Sequence, residues 1–234
     1  MQKLILGFLL AATLAITPGA PDAAAAEAPR RILVIGDSML AAHRLSGRAV
    51  SNALAGALEA RVTDQSMIGA RIIYRLPISG AVLGLNIGRQ YRTGDWDWVV
   101  VNGGGNDLWM GCGCTRCHRR MDQLINTAGT GGEIAKLVVK LRKTGAKVAW
   151  VGYLRSPGVG SPIEHCRDDG DELERRIARL AGHLDGVYFV SIADLVPNGD
   201  RSYHGADMIH PSLKASREIG LRVARTILRA EAGR

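Results

Sequence analysis

Arg31 to Leu40, RILVIGDSML, is an apolar run that stops at a Gly-Asp-Ser. Ile32, Leu33, Val34 and Ile35 show no polar alternation, which is how a strand reads when both of its faces are buried in a parallel sheet. Ligands of open α/β sheets bind just beyond the carboxyl ends of their strands, and Gly36 permits a sharp exit there. Ser38 therefore stands on a functional edge as a candidate nucleophile.

Outward from this strand the chain alternates apolar segments with helix-like ones, the pattern of crossover βαβ units. Strands are expected at Arg31–Gly36, Arg61–Met67, Trp96–Asn102, Lys147–Tyr153 and Gly186–Ile192. Helices are expected at Gly47–Ala60, Gly80–Arg92, Gly132–Thr144 and Asp171–Leu184, and from His210-Pro211-Ser212 to the C-terminus, with Pro211 in the first turn. The stripe Leu173, Ile177, Leu180 and Leu184 marks the fourth of these as amphipathic. The 234 residues, 47% hydrophobic and 22% charged, suit one α/β domain with a full core rather than a disordered chain or a membrane bundle.

Residues 1–26 read as a secretory signal peptide. Lys3 supplies the positive region, Leu4 to Ile16 an apolar core too short to span a bilayer, and Ala24-Ala25-Ala26 a small-residue cleavage site before Glu27. The mature domain is then 27–234, exported to a periplasm or secreted, with no membrane span. Lys3 and Asp22 cancel, so the formal charge of +8 survives processing. The arginines are scattered rather than gathered in an aromatic-interleaved stripe, which argues against nucleic acid as a partner. An anionic surface, such as lipid headgroups or acidic polysaccharide, and plain solvation both remain open.

Three further features carry chemistry. Gly69 follows the second strand, where backbone approaches something closely. Asn106, in Gly103-Gly104-Gly105-Asn106-Asp107 after the third strand, is placed to donate a side-chain amide to an oxyanion; alone, it reads equally well as a turn former. Asp207 and His210 are three apart, so the carboxylate can reach Nδ1 while Nε2 faces Ser38; alone, His210 reads as a helix-start histidine. Together, Ser38, His210, Asp207 and Asn106 supply the nucleophile, base, orienting carboxylate and oxyanion donor that serine ester cleavage needs.

The combination resembles the SGNH (GDSL-type) hydrolase family, whose four ordered blocks are matched by Gly36-Asp37-Ser38, Gly69, Gly104-Gly105-Asn106-Asp107 and Asp207-Met208-Ile209-His210. Only the glycine of the second block matches, and Met39 stands where the family usually has leucine or isoleucine. The resemblance implies a three-layer α/β/α sandwich with a parallel five-stranded sheet. It also implies an oxyanion hole from the Ser38 and Gly69 N–H groups and the Asn106 amide, and acyl-enzyme chemistry on a small-molecule or carbohydrate acyl ester without metal or cofactor. Acyl transfer to another alcohol, and a non-catalytic binding module on the same fold, are the alternatives.

Cys112, Cys114 and Cys117 crowd one loop and Cys166 lies in another. Four cysteines in an exported chain favour disulfides, with one bridge from the first loop to Cys166 and the full pairing open. Cys114-Thr115-Arg116-Cys117-His118 also fits the C-x-x-C-H pattern of covalent haem attachment, and zinc on these cysteines and His118 is a further alternative. Trp109 is expected either to wall the acyl site or to fill core. His43, His183 and His204 are expected at the surface or in loops, with His204 near enough to line the site.

Overall fold

A computed structural model describes residues 28–233; the expected leader and its cleavage site lie outside the described residues. Strands β1 (Arg31–Ile35), β2 (Arg61–Asp64), β3 (Trp98–Val101), β4 (Lys147–Val151) and β5 (Val187–Val190) form one all-parallel sheet in the order β2-β1-β3-β4-β5. Interior β1, second in that order, pairs Ile32 with Val62 on one side and with Trp98 on the other. Among the described residues eight helices accompany the sheet: α1 (Ser38–Ala41), α2 (Val50–Leu58), α3 (Pro77–Val82), α4 (Gly105–Cys112), α5 (His118–Leu124), α6 (Glu133–Arg142), α7 (Arg167–His183) and α8 (Leu213–Ala232).

The sheet has two buried faces. Ile32, Val34, Trp98 and Val100 pack under α2 and α8, while Leu33, Ile35, Val99 and Val101 pack under α4 to α7. This is the three-layer α/β/α arrangement, and it explains why β1 shows no polar alternation. Ile32 to Ile35 are all fully buried, each contributing about 1.5–3 kcal/mol by removal of its apolar surface from water. The expected stripe of α7 holds at Leu173, Ile177 and Leu180, all buried, while Leu184 closes the helix as its C-cap.

Several expected elements differ. β2 ends at Asp64 instead of Met67, although Gln65 N–H still donates to the Val34 carbonyl and Met67 N–H to that of Gly36. The helix expected over Gly80–Arg92 is replaced by α3 and a single 3₁₀ turn at Ile87–Arg89. Gly84 turns the chain left-handed there (φ +68°), so that Arg71 pairs with Asn86 as an isolated parallel bridge. The cysteine segment, expected as a loop, holds the end of α4 and the start of α5. Helix α7 begins at Arg167 rather than Asp171, with Asp168 and Asp169 in its first turn, where carboxylates complement exposed N–H groups. Pro211 precedes the α8 N-cap, Ser212, whose hydroxyl accepts the Ala215 N–H at 3.2 Å.

Candidate active site

The turn after β1 is held by two buried amides. Gln90 accepts the Gly36 N–H (2.7 Å) and donates to the Gly36 carbonyl (2.9 Å), while Asn102, at the exit of β3, accepts the Asp37 N–H (3.0 Å). A Cβ on Gly36 would come within 2.3 Å of Asn102 Oδ1, so only glycine fits. Asp37 then caps α1, its Oδ1 accepting the Met39 N–H at 2.9 Å. Ser38 is the first residue of that helix. Among the described residues neither its N–H nor its Oγ has a hydrogen-bond partner.

Asp37 is 1% exposed, and its second oxygen receives the Tyr153 hydroxyl at 2.5 Å. The same phenol oxygen accepts the Gly105 N–H at 2.9 Å, one residue before Asn106. Burial raises the Asp37 pKa more than the bonds from Tyr153, Met39 and Asn102 lower it, and burial also lifts the Tyr153 phenol well above its usual range. The Tyr153 backbone is pinned by its N–H to Glu174 (2.7 Å), and Glu174 in turn pairs with Arg155 (2.8 Å). Tyr153 thus joins the serine turn to the asparagine turn.

Gly69 occupies the third position of a turn closed by Ala70 N–H to the Met67 carbonyl at 3.1 Å, with φ +78°, a conformation that glycine adopts without strain. Asn106 Nδ2 donates to the Ala70 carbonyl at 3.0 Å, which ties it to this turn and leaves its other amide hydrogen unpartnered among the described residues. Asp107, the next residue, is 2% exposed and clamps the same crossover by accepting the N–H groups of Ile72 (2.9 Å) and Ile73 (2.8 Å).

On the opposite wall Asp207 Oδ1 accepts the N–H groups of Ile209 and His210, both at 3.0 Å, while Oδ2 lies 2.5 Å from His210 Nδ1. Burial pushes the Asp207 carboxyl up, but these bonds outweigh it and hold the pKa at about 2. His210 Nε2 has no partner among the described residues.

Ser38, Asn106 and His210 line one cavity of about 100 Å³. Leu108, Trp109, Leu154, Ile163 and Leu173 make it largely apolar, so Trp109 is a wall residue. Gly69 is not part of the lining; it lies one residue from the Asn106 contact. The cysteines form the bridges Cys112–Cys117 and Cys114–Cys166, and both members of the second line the cavity. The link from the first cysteine segment to Cys166 matches expectation. It also removes the haem-attachment reading, because both thiols of C-x-x-C-H are bonded to other cysteines. Cys114, His165 and Cys166 have ligand atoms within 4.8 Å of one another, but the two sulfurs are joined, and His118 is not in this group.

His204, expected at the surface or in a loop and near enough to line the site, is instead buried and outside the cavity lining, with neither ring nitrogen bonded among the described residues. His43 is more than a loop histidine: its Nε2 lies 2.9 Å from the Pro211 carbonyl, bracing the residue after His210. Gln90, Asn102 and Tyr153 were not expected to take part. The signal for two of them was present, a polar residue closing an apolar strand in WVVVN and a tyrosine closing KVAWVGY.

The model of the GDSL-like lipase/acylhydrolase family matches residues 34–217. Among solved structures, the native aryl esterase of M. smegmatis superposes with a TM-score of 0.63 at 18% identity, over 86% of this chain and 99% of that one. The carbohydrate acetylesterase Est24 from Sinorhizobium meliloti gives 0.60 at 17% identity, over 86% and 99%. TesA gives 0.59 at 22% identity, over the same shares. A search of curated proteins found no match.

Proposed function

Because the chain belongs to the GDSL-like lipase/acylhydrolase family and has the SGNH hydrolase fold, we propose that it is an exported serine esterase that cleaves short acyl esters through Ser38, His210 and Asp207. One observation carries the reading: a histidine whose Nδ1 is held at 2.5 Å by a carboxylate shares an apolar cavity with an unpartnered serine and an asparagine amide.

In this reading Ser38 Oγ attacks the ester carbonyl carbon while His210 Nε2 takes its proton. The oxyanion is received by the Ser38 N–H and the Asn106 amide, with the Gly69 N–H, on the turn that Asn106 binds at the cavity's edge, as the third donor of this reading. Collapse of the intermediate breaks the bond to the alcohol, which leaves with the proton from His210, and the acyl group stays on Ser38. Water then attacks the acyl carbon, His210 takes its proton and returns it to Ser38 Oγ, and the acid departs. Asp207 keeps the histidine in the tautomer with hydrogen on Nδ1.

The acyl group is short in this reading. A cavity of about 100 Å³ is smaller than the ~150 Å³ that takes a benzene ring, which favours a small acyl group. Export is supported by the leader-like residues 1–26 and by two disulfides, which persist in oxidising compartments. The test is hydrolysis of p-nitrophenyl acetate, butyrate and octanoate, with fluorophosphonate labelling of the wild type and Ser38→Ala. The wild type should label and prefer the two shorter esters, and Ser38→Ala should neither label nor turn over while keeping its circular dichroism. Turnover retained in Ser38→Ala refutes the assignment.

A further inference from the structure

The crossover between β2 and β3 has a composition and a shape that the proposed chemistry does not use. From Gln65 to Gly94 it contains four arginines, Arg71, Arg75, Arg89 and Arg92, and no acidic residue. None of the four makes an ion pair among the described residues. Helix α3, inside this stretch, turns its apolar side chains outward. Its only buried residue is Gly80, which backs onto Tyr74 and Asn86, so Ile78 and Val82, two residues to either side and about 200° around the helix, face solvent. Ile78 is 78% exposed and Val82 76%, and the flanking Leu76 and Leu83 are 63% and 55% exposed.

The patch extends beyond the helix. Gly84 packs against Met67, which brings exposed Ile68 beside the end of α3. Arg71 Nη2 lies 3.6 Å from Met110 Sδ on α4, the helix that carries Asn106 and Trp109. Contiguous exposed apolar side chains of this kind are unusual on a soluble surface and mark contact with a partner.

We propose that this face docks the protein on an anionic lipid surface. Apolar side chains on a short amphipathic element with arginines around it enter the boundary between headgroups and acyl chains, and the arginines meet the lipid phosphates. The charge pattern selects this occupant. A second copy related by a two-fold axis would set arginines against arginines. An acidic polysaccharide would satisfy the arginines but leave Leu76, Ile78, Val82 and Leu83 in water. Docking here sets α4, and with it the mouth of the cavity, near the lipid surface, whatever chemistry Ser38 performs.

The test is co-sedimentation of the disulfide-bonded protein with vesicles of phosphatidylcholine alone or with about a third phosphatidylglycerol, at about 0.1 M salt. The wild type should sediment with the anionic vesicles only. Ile78→Ser with Val82→Ser should weaken the partition about ten-fold or more, and Arg75→Gln and Arg92→Gln about five-fold each. All these positions are exposed, so circular dichroism and hydrolysis of a soluble ester should not change. Should the serine pair alter the Tm, the arginine variants carry the test. Absence of sedimentation with anionic vesicles overturns the proposal, as does equal binding by the variants. So does a wild-type dimer in light scattering that the serine pair abolishes without any vesicle binding.

Discussion

Tyr153→Phe removes one oxygen atom, and that atom joins two halves of the candidate site. The Tyr153 hydroxyl donates to buried Asp37 at 2.5 Å and accepts the Gly105 N–H at 2.9 Å. Loss of a hydrogen bond to a charged group costs about 1.5–3 kcal/mol, and leaving a buried N–H unsatisfied costs about 1–3 kcal/mol. No cavity of consequence is made, so the sum is about 2.5–6 kcal/mol. At ~2–4 °C per kcal/mol for a domain of this size, the Tm should fall by about 5–24 °C.

The loss should shrink in acid, and the sign follows from Asp37. Burial raises its folded pKa above the unfolded value, so its ionised form is the costly one, and stability drains as pH rises through the folded pKa. Without the phenol this pKa rises further, so the variant's deficit is larger at pH ~7.5 than at pH ~4.5. Asp37 caps the turn of Ser38 and Gly105 precedes Asn106, so kcat on a short ester should also fall about 10- to 100-fold, the scale of a small misplacement of reacting groups. Thermal melts at the two pH values and steady-state kinetics read all three effects. A Tm within 2 °C of the wild type together with an unchanged kcat would refute the reasoning.

Other expectations follow from single contacts. Asp207→Asn keeps an acceptor for the Ile209 and His210 N–H groups but turns an amide toward Nδ1, so kcat should drop roughly 10⁴-fold while the Tm changes little; near-normal turnover would remove Asp207 from the triad. Buried His204 has its pKa lowered by burial, against a smaller upward pull from Asp207. The stability it confers is therefore present above pH ~6.5 and lost as pH falls below it; His204→Phe should flatten the Tm slope between pH 7.5 and 5.5, and an unaltered slope counts against a buried neutral imidazole. Cys114→Ser with Cys166→Ser opens a loop of 52-residue separation, which costs about 4 kcal/mol by chain entropy; a denaturant midpoint within error of the wild type would contradict this.

The parts of the molecule that were legible in the sequence are those whose physics is local. Ile32 to Ile35 announce a strand buried on both faces because no polar residue interrupts them, and they are fully buried. Asp207 and His210 announce their contact because three residues of turn bring them together. The crossover expected as one helix over Gly80–Arg92 is broken because Gly84 turns the chain left-handed between Leu83 and Leu85. The cysteine segment hid α4 and α5 because glycines and cysteines give no helical stripe. Gln90, Asn102 and Tyr153 lie 54, 65 and 116 residues from the Gly36–Asp37 turn that they hold, so only the folded chain shows what they bond.

The turn at Asp207 carries a mechanical consequence. One carboxylate grips the imidazole with one oxygen and, with the other, the peptide groups on which that imidazole is mounted. Acid and base therefore cannot drift apart as separate parts. If the segment swings, they leave the serine together and return together with their mutual alignment intact, so a loop motion there would act as a clutch, engaging or releasing the whole of the proposed proton relay in one movement.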